Sequence, residues 1–311
     1  MSNRMVAALV VSTAAFQVAA VHASAQDEGP STLRVVVRAE AKHDAVPPAL
    51  QASDVKVEFN GKTTDVTNLQ PLMHPGGRPV EVALLIDDGL RGNFGTQLRD
   101  LEEFVQATAG PQVSLGVGYM RNGRAEFPAG FSTEPEQATK AIRLPISAAG
   151  ISGSPYFCLQ DLVKHWPTNT NAAHVVLMIT NGIDYYNGSV SPLNQDSPYV
   201  QSALDDAQRA GVPVYSIYYG GRNFNANLPS FSGQSYLSQV AEGTGGELFN
   251  GGQINPPSLT PYFKQFNTAL RESYVVSFVS GGRRLEALKV STKVNGVKLH
   301  AQKAASAAGV R

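Results

Sequence analysis

Pro79-Val80-Glu81-Val82-Ala83-Leu84-Leu85-Ile86-Asp87-Asp88-Gly89 is the stretch on which the reading of this chain turns. Its apolar run is almost unbroken and stops at two carboxylates and a glycine. Leu90-Arg91-Gly92-Asn93-Phe94-Gly95 follows and leads into an amphipathic segment. A strand buried on both faces of a parallel sheet has this composition, because helices cover both of its sides and leave little room for alternating polar residues. In open α/β sheets ligands bind at the carboxyl ends of such strands, so Asp87 and Asp88 are candidate site residues. The plainer alternative is that they only terminate a core strand.

Outward from that strand, strand and helix patterns alternate. Leu98, Leu101, Phe104 and Val105 recur at helical spacing until Gly110-Pro111. Val113 to Met120 and Ala125 to Phe131 read as a hairpin across Arg121-Asn122-Gly123-Arg124, and Thr133 with Glu136 fits a capping box. Ser154-Pro155 caps a helix whose buried face is Tyr156, Leu159, Leu162, Val163 and Trp166. His174 to Thr180 is a second central strand, ending at Asn181-Gly182-Ile183-Asp184. Ser197-Pro198 opens a helix that Gly211 ends, and Val212 to Tyr219 is a third strand. A helix at Tyr236 to Glu242, a short strand at Glu247 to Asn250 and a helix at about Thr260 to Arg271 complete the series. The alternation predicts a mostly parallel sheet with helices on both faces and right-handed crossovers.

The two ends of the chain read differently. Leu33 to Ala39 and Val55 to Phe59 are β-like, with Asn60-Gly61 as a hairpin signal, and His74 to Pro79 is a linker by composition. From Tyr274 the period becomes two: Tyr274 to Ser280, Leu285 to Lys293 and Val297 to Gln302 read as strands, with Asn295-Gly296 turning the last pair. The two ends are expected to form one small flanking β module. Arg4, the apolar run Val6 to Ala20 and Ala23-Ser24-Ala25 ahead of Gln26 read as a secretory signal peptide rather than an uncleaved anchor. The expected partition is residues 1–25 signal peptide, 26–78 β module and linker, 79–272 α/β domain, 273–302 returning strands and 303–311 tail.

Composition narrows the function classes. The 25 basic and 25 acidic residues balance, so there is no footprint for nucleic acid or an anionic membrane surface. One cysteine, Cys158, excludes an intramolecular disulfide and a cysteine-based zinc site. Gly150-Ile151-Ser152-Gly153-Ser154 misses the nucleophile-elbow pattern at its last position, and no phosphate cradle is present. The histidines lack ligand spacing, and His165 and His174 read as surface residues.

The order of elements resembles a von Willebrand factor type A domain, in particular the exported, acidobacterial-type bacterial proteins called VWFA-related. Val82 to Asp87, Val175 to Gly182 and Leu237 to Gly246 carry the resemblance, with Ser53 to Lys62 and Glu272 to Phe278 at the flanks. It implies a Rossmann-like domain. It also implies a metal-ion-dependent adhesion site, whose Asp-x-Ser-x-Ser loop supplies oxygen ligands to a divalent cation. Here that loop reads Asp87-Asp88-Gly89-Leu90-Arg91, and Asn181 stands where the site's later aspartate belongs. A guanidinium cannot ligate a cation, and Arg91 can pair with Asp87 instead. A degenerate site without metal or other cofactor is therefore expected, the alternative being calcium among Asp87, Asp88 and Asp184.

Two long polar loops containing aromatics follow neighbouring strands, Tyr185 to Asp196 and Gly221 to Ser232, with Tyr, Asn, Ser, Gly and Arg among their residues. Such residues serve recognition, because rigid aromatics bury area at low entropy cost and small amides adapt their hydrogen bonds. The resulting expectation is an exported, periplasmic or secreted, non-enzymatic protein that binds a protein partner. Asp87, Asp88, Arg91, Asn181 and Asp184 would lie at the centre of the site and Tyr185, Tyr186, Phe224 and Phe231 at its rim. The alternatives are a metal-assisted hydrolase centred on Asp87 and Asp88, and a purely structural envelope component.

Overall fold

The computed structural model describes residues 31–90, 93–147, 154–168, 170–187, 196–220, 231–249, 255–281 and 284–307. The chain opens with β1 (Ser31–Ala41), β2 (Val55–Phe59), β3 (Lys62–Thr64) and β4 (Val66–Pro71). It continues through β5 (Val80–Asp87), α1 (Leu98–Thr108), β6 (Val113–Arg121), β7 (Arg124–Glu126), β8 (Phe131–Ser132), α2 (Pro135–Thr139) and α3 (Pro155–Lys164). Then come β9 (Ala173–Thr180), α4 (Pro198–Ala210), β10 (Val214–Tyr218), α5 (Phe231–Thr244), β11 (Leu248–Phe249) and α6 (Thr260–Arg271). It closes with β12 (Ser273–Ser280), β13 (Glu286–Thr292), β14 (Val297–Ala301) and β15 (Ala304–Ala305).

The middle of the chain forms a sheet in the order β11-β10-β9-β5-β6-β7, with β8 also on β6. Pairing is parallel from β11 to β6, and antiparallel where β7 and β8 join β6. All eight residues of β5 are buried. Its alternate side chains serve two cores: Val82, Leu84 and Ile86 meet α1 and α6, while Ala83 and Leu85 meet α3, α4 and α5. Covering both faces is what removes the polar alternation from the sequence of this strand.

The outer strands form two four-stranded antiparallel sheets, β14-β1-β12-β4 and β15-β13-β2-β3. They share a core of Leu33, Val35, Val37, Val57, Phe59, Val276, Phe278 and Leu288, so strands from both chain ends make a sandwich. Asn60-Gly61 and Asn122-Gly123 turn β2 into β3 and β6 into β7, with φ of 48° and 72° and of 50° and 74°. The left-handed pair that a tight hairpin demands is why those dipeptides were legible.

Four local expectations are corrected. Asn295-Gly296 does not join a hydrogen-bonded pair: β13 belongs to one sheet and β14 to the other, so the turn carries the chain across the sandwich. Residues 125–131 are not one strand, because a turn at Phe127–Gly130 separates β7 from β8. The capping box at Thr133 and Glu136 is absent. Pro135 sets the helix start one residue later, and Ser132 Oγ accepts from the Glu134 amide instead. The helix expected at 236–242 begins at Phe231.

The two bodies are bound at several points. Leu72 N donates to Ser273 O at 2.8 Å, which ties together the points where the chain enters and leaves the α/β body. Arg38 Nη1 meets Glu247 Oε2 at 2.7 Å, and Gln302 Nε2 donates to Gln208 O at 3.0 Å. Among the described residues no helix is long and apolar enough to cross a membrane.

Candidate functional site

In this strand order β5 has β6 on one side and β9 on the other, so the chain direction of winding reverses between β5 and β9. The crevice at such a reversal, outside the carboxyl ends, is where α/β sheets place ligands. Asp87 ends β5 and Thr180 ends β9, and the Thr180 hydroxyl donates to Asp87 Oδ2 at 2.8 Å across the crevice. Asp87 Oδ1 accepts from the Gly89 amide at 2.8 Å. Asp87 is 6% exposed.

Asp88 points elsewhere. It is fully buried, and Arg143 Nη1 lies 2.6 Å from Oδ1, beside the Ile146 amide at 3.1 Å. Ser147 Oγ donates to Oδ2 at 2.7 Å. Burial works to raise its pKa, but the hydrogen bonds from Arg143, Ser147 and Ile146 outweigh it and hold the carboxyl below its ordinary value. Arg143 is itself fixed, with its guanidinium carbon 3.7 Å from the centroid of the Tyr119 ring and its amide donating to the Tyr119 hydroxyl at 2.7 Å. Sequence reading missed Arg143, which lies in a loop after α2 with no motif around it.

After β9 the backbone turns through Gly182 at φ +67°, where a Cβ would stand 2.4 Å from the Gly233 carbonyl of α5. Only glycine allows that approach. Asn181 Oδ1 accepts from the Ile183 amide at 2.9 Å, and the Tyr156 hydroxyl donates to Gly182 O at 2.9 Å. Asp184 is 2% exposed and links the two described ends of the segment that follows β9. Its Oδ1 accepts from the Tyr186 amide at 3.2 Å, and its Oδ2 from Ser197 Oγ at 2.6 Å. Ser197 in turn accepts from the Tyr199 and Val200 amides and caps α4.

The rim is apolar and exposed. Tyr186 is 58% exposed, with its ring 5.0 Å from Phe157, which meets Tyr199 edge-on at 4.9 Å. Leu144 and Ile146, 50% and 57% exposed, flank the clamp on Asp88. The Tyr185 hydroxyl is buried without a hydrogen-bond partner among the described residues. Arg91 and Phe224 lie outside the described residues. Phe231, expected in the loop, starts α5. His174, expected at the surface, is half-buried: it stacks on Trp166 at 4.1 Å, beside the buried Glu81.

Among the described residues the side chains do not fit the divalent-cation site that the resemblance implies. Gly89 has no side-chain oxygen to offer as the loop's second ligand, and both Asp88 oxygens are taken by donors. Among the described residues no group of three or more His, Cys, Asp and Glu side chains is arranged to hold a metal.

No family model matches this chain, and no curated protein matches it significantly. Among solved structures it is similar to an aerotolerance-related membrane protein from Bacteroides fragilis, at 12% identity over 61% of this chain and 98% of that one, with a TM-score of 0.41. It is similar to the vWF domain of the type V pili tip protein Mfa5 from Porphyromonas gingivalis, at 10% identity over 53% and 86%, TM-score 0.38. A third is the conserved hypothetical protein BatB from Bacteroides thetaiotaomicron, at 12% identity over 62% and 97%, TM-score 0.40.

Proposed function

We propose that the α/β body is a von Willebrand type A-like recognition module of an exported protein. It holds a protein partner on the loops at the carboxyl ends of the parallel strands, without a bridging metal and without turnover. The observation that carries this reading is the distribution of exposed apolar side chains. Of the five large exposed hydrophobics among the described residues, Leu144, Ile146 and Tyr186 lie on these loops. Exposed apolar groups collected around a rigid polar centre are the makings of an interface core with a polar surround.

The chemistry of the centre favours binding over catalysis. Asp88 is neutralised by Arg143, and Asp87 accepts from Gly89 and Thr180, so both carboxylates are engaged as hydrogen-bond acceptors rather than left open to abstract a proton. The nearby Cys158 thiol is pushed up by burial first and by the charge of Asp87 second, which keeps it protonated and a poor nucleophile.

The test is affinity capture from an envelope extract, with the partner identified and then titrated against purified variants. Tyr186→Ala and Ile146→Ser should weaken that complex roughly tenfold or more each while leaving the melting temperature unchanged. Equal affinity for both variants would sink the loop assignment. Calorimetry with magnesium, manganese and calcium should give neither heat nor a stability shift, and saturable binding of any of them would overturn the metal-free reading.

A further inference from the structure

A cavity of about 470 Å³ opens at the seam between the sandwich and the amino ends of the parallel strands, within the usual span of small-molecule sites. The register of the sandwich builds its floor. Arg34 of β1 lies opposite Ser277 of β12, and Ser277 opposite Asn68 of β4, so the three form one row on the outer face of the sheet. Gln70, opposite Val275, continues the next row. Arg78 and Asn171, which precede β5 and β9, close the cavity from the α/β side.

The charge in this cavity has one sign. No Asp or Glu lines it, and none lines the adjoining space of about 210 Å³ that Arg34 and Arg78 share with Arg209. Among the described residues Arg34 makes no side-chain hydrogen bond or ion pair. Arg78 makes one hydrogen bond, from Nε to the Asn171 carbonyl, which aims the guanidinium and leaves both terminal nitrogens for another acceptor. Glu81, a buried carboxylate of β5, is already occupied by Trp166, Thr168 and Thr170. Burial first, and the charge of Arg34 second, hold Arg78 below its ordinary pKa, so the two cations feel each other. Like charges at a partly desolvated seam repel, and a dianion between them removes that cost. Guanidinium forks match tetrahedral oxyanions bidentately.

We propose that this seam binds a phosphate or sulfate ester carried on a hydroxyl-bearing body such as a sugar. Arg34 and Arg78 take the oxyanion, and the amides of Asn68, Gln70 and Asn171 face the hydroxyls. The site lies at the opposite end of the parallel strands from Asp87 and does not depend on the recognition reading of the loops.

Isothermal titration of the full chain with glucose 6-phosphate, glucose 6-sulfate, inorganic phosphate and glucose tests it. Saturable binding of at least one sugar ester is expected, weaker binding of inorganic phosphate and none of glucose. Arg34→Gln should weaken the ester roughly tenfold or more. The melting temperature of that variant should not fall, because Arg34 makes no stabilising contact among the described residues and its removal relieves the repulsion with Arg78. Arg78→Gln should act in the same direction, with circular dichroism confirming its fold. Absence of saturable binding by either ester, or unchanged affinity in Arg34→Gln, would overturn the site. Equal affinity for inorganic phosphate and the esters would overturn the part assigned to the amides.

Discussion

Arg143 sets the character of the carboxyl-end crevice. It neutralises a carboxylate that has no contact with solvent, and removing one partner of such a pair leaves the other charge buried. Arg143→Met should destabilise by about 3 kcal/mol, measured by urea unfolding, with Asp88→Asn in the same background recovering part of the loss. Loss of much less would mean that water reaches Asp88 and the clamp is weaker than its geometry. The position of Asp87 was legible in the sequence, because a continuous apolar strand followed by carboxylate and glycine points to a strand end. The Arg143 contact was not legible: the pair is 55 residues apart and forms between loops, where no period or cap announces it.

At the scale of elements, two small residues hold the described ends of the segment between β9 and α4. Ser197 caps α4 and satisfies Asp184 with the same hydroxyl, so Ser197→Ala should cost about 1–2 kcal/mol, read from the shift in the urea midpoint. Gly182→Ala should cost more. The left-handed backbone alone is worth about 1–2 kcal/mol, and the new methyl would meet a helix carbonyl that cannot move away. A Gly182→Ala melting temperature within error of wild type would show that α5 is not held against β9 as described. Caps and turns of this kind, Ser154-Pro155, Ser197-Pro198, Gly211 and Asn60-Gly61, could be read from sequence because their chemistry is local. The sheet change at Asn295-Gly296 could not. The same dipeptide suits a hairpin and a crossing, and the choice is made by the core residues Leu288 and Leu299 meeting different neighbours.

Across the whole molecule, two histidines make stability depend on mildly acidic pH. His174 is lowered by burial first and by Arg78, against the pull of Glu81, and His300 is lowered by burial first and by Arg38, against Glu40. A base whose folded pKa lies below its unfolded one binds protons more readily when unfolded. Its contribution is therefore complete above the unfolded value of about 6.5 and declines as pH falls through the lower folded value. The melting temperature should fall between about pH 7 and pH 5. His174→Gln and His300→Gln should flatten that slope separately, since one residue serves the parallel sheet and the other the sandwich. A profile flat over this range would mean that both rings take up protons as readily in the folded state as in the unfolded one.

The hydrogen bond between Leu72 and Ser273 joins the two ends of everything that lies between them. A pull applied at the chain termini reaches β1 and the last strands first. The sandwich strands must peel before tension can enter the α/β body, whose own ends remain clasped. The α/β body that carries Tyr186 and Ile146 would thus hold together under load while the outer sheets give way, as a fuse protects the circuit behind it.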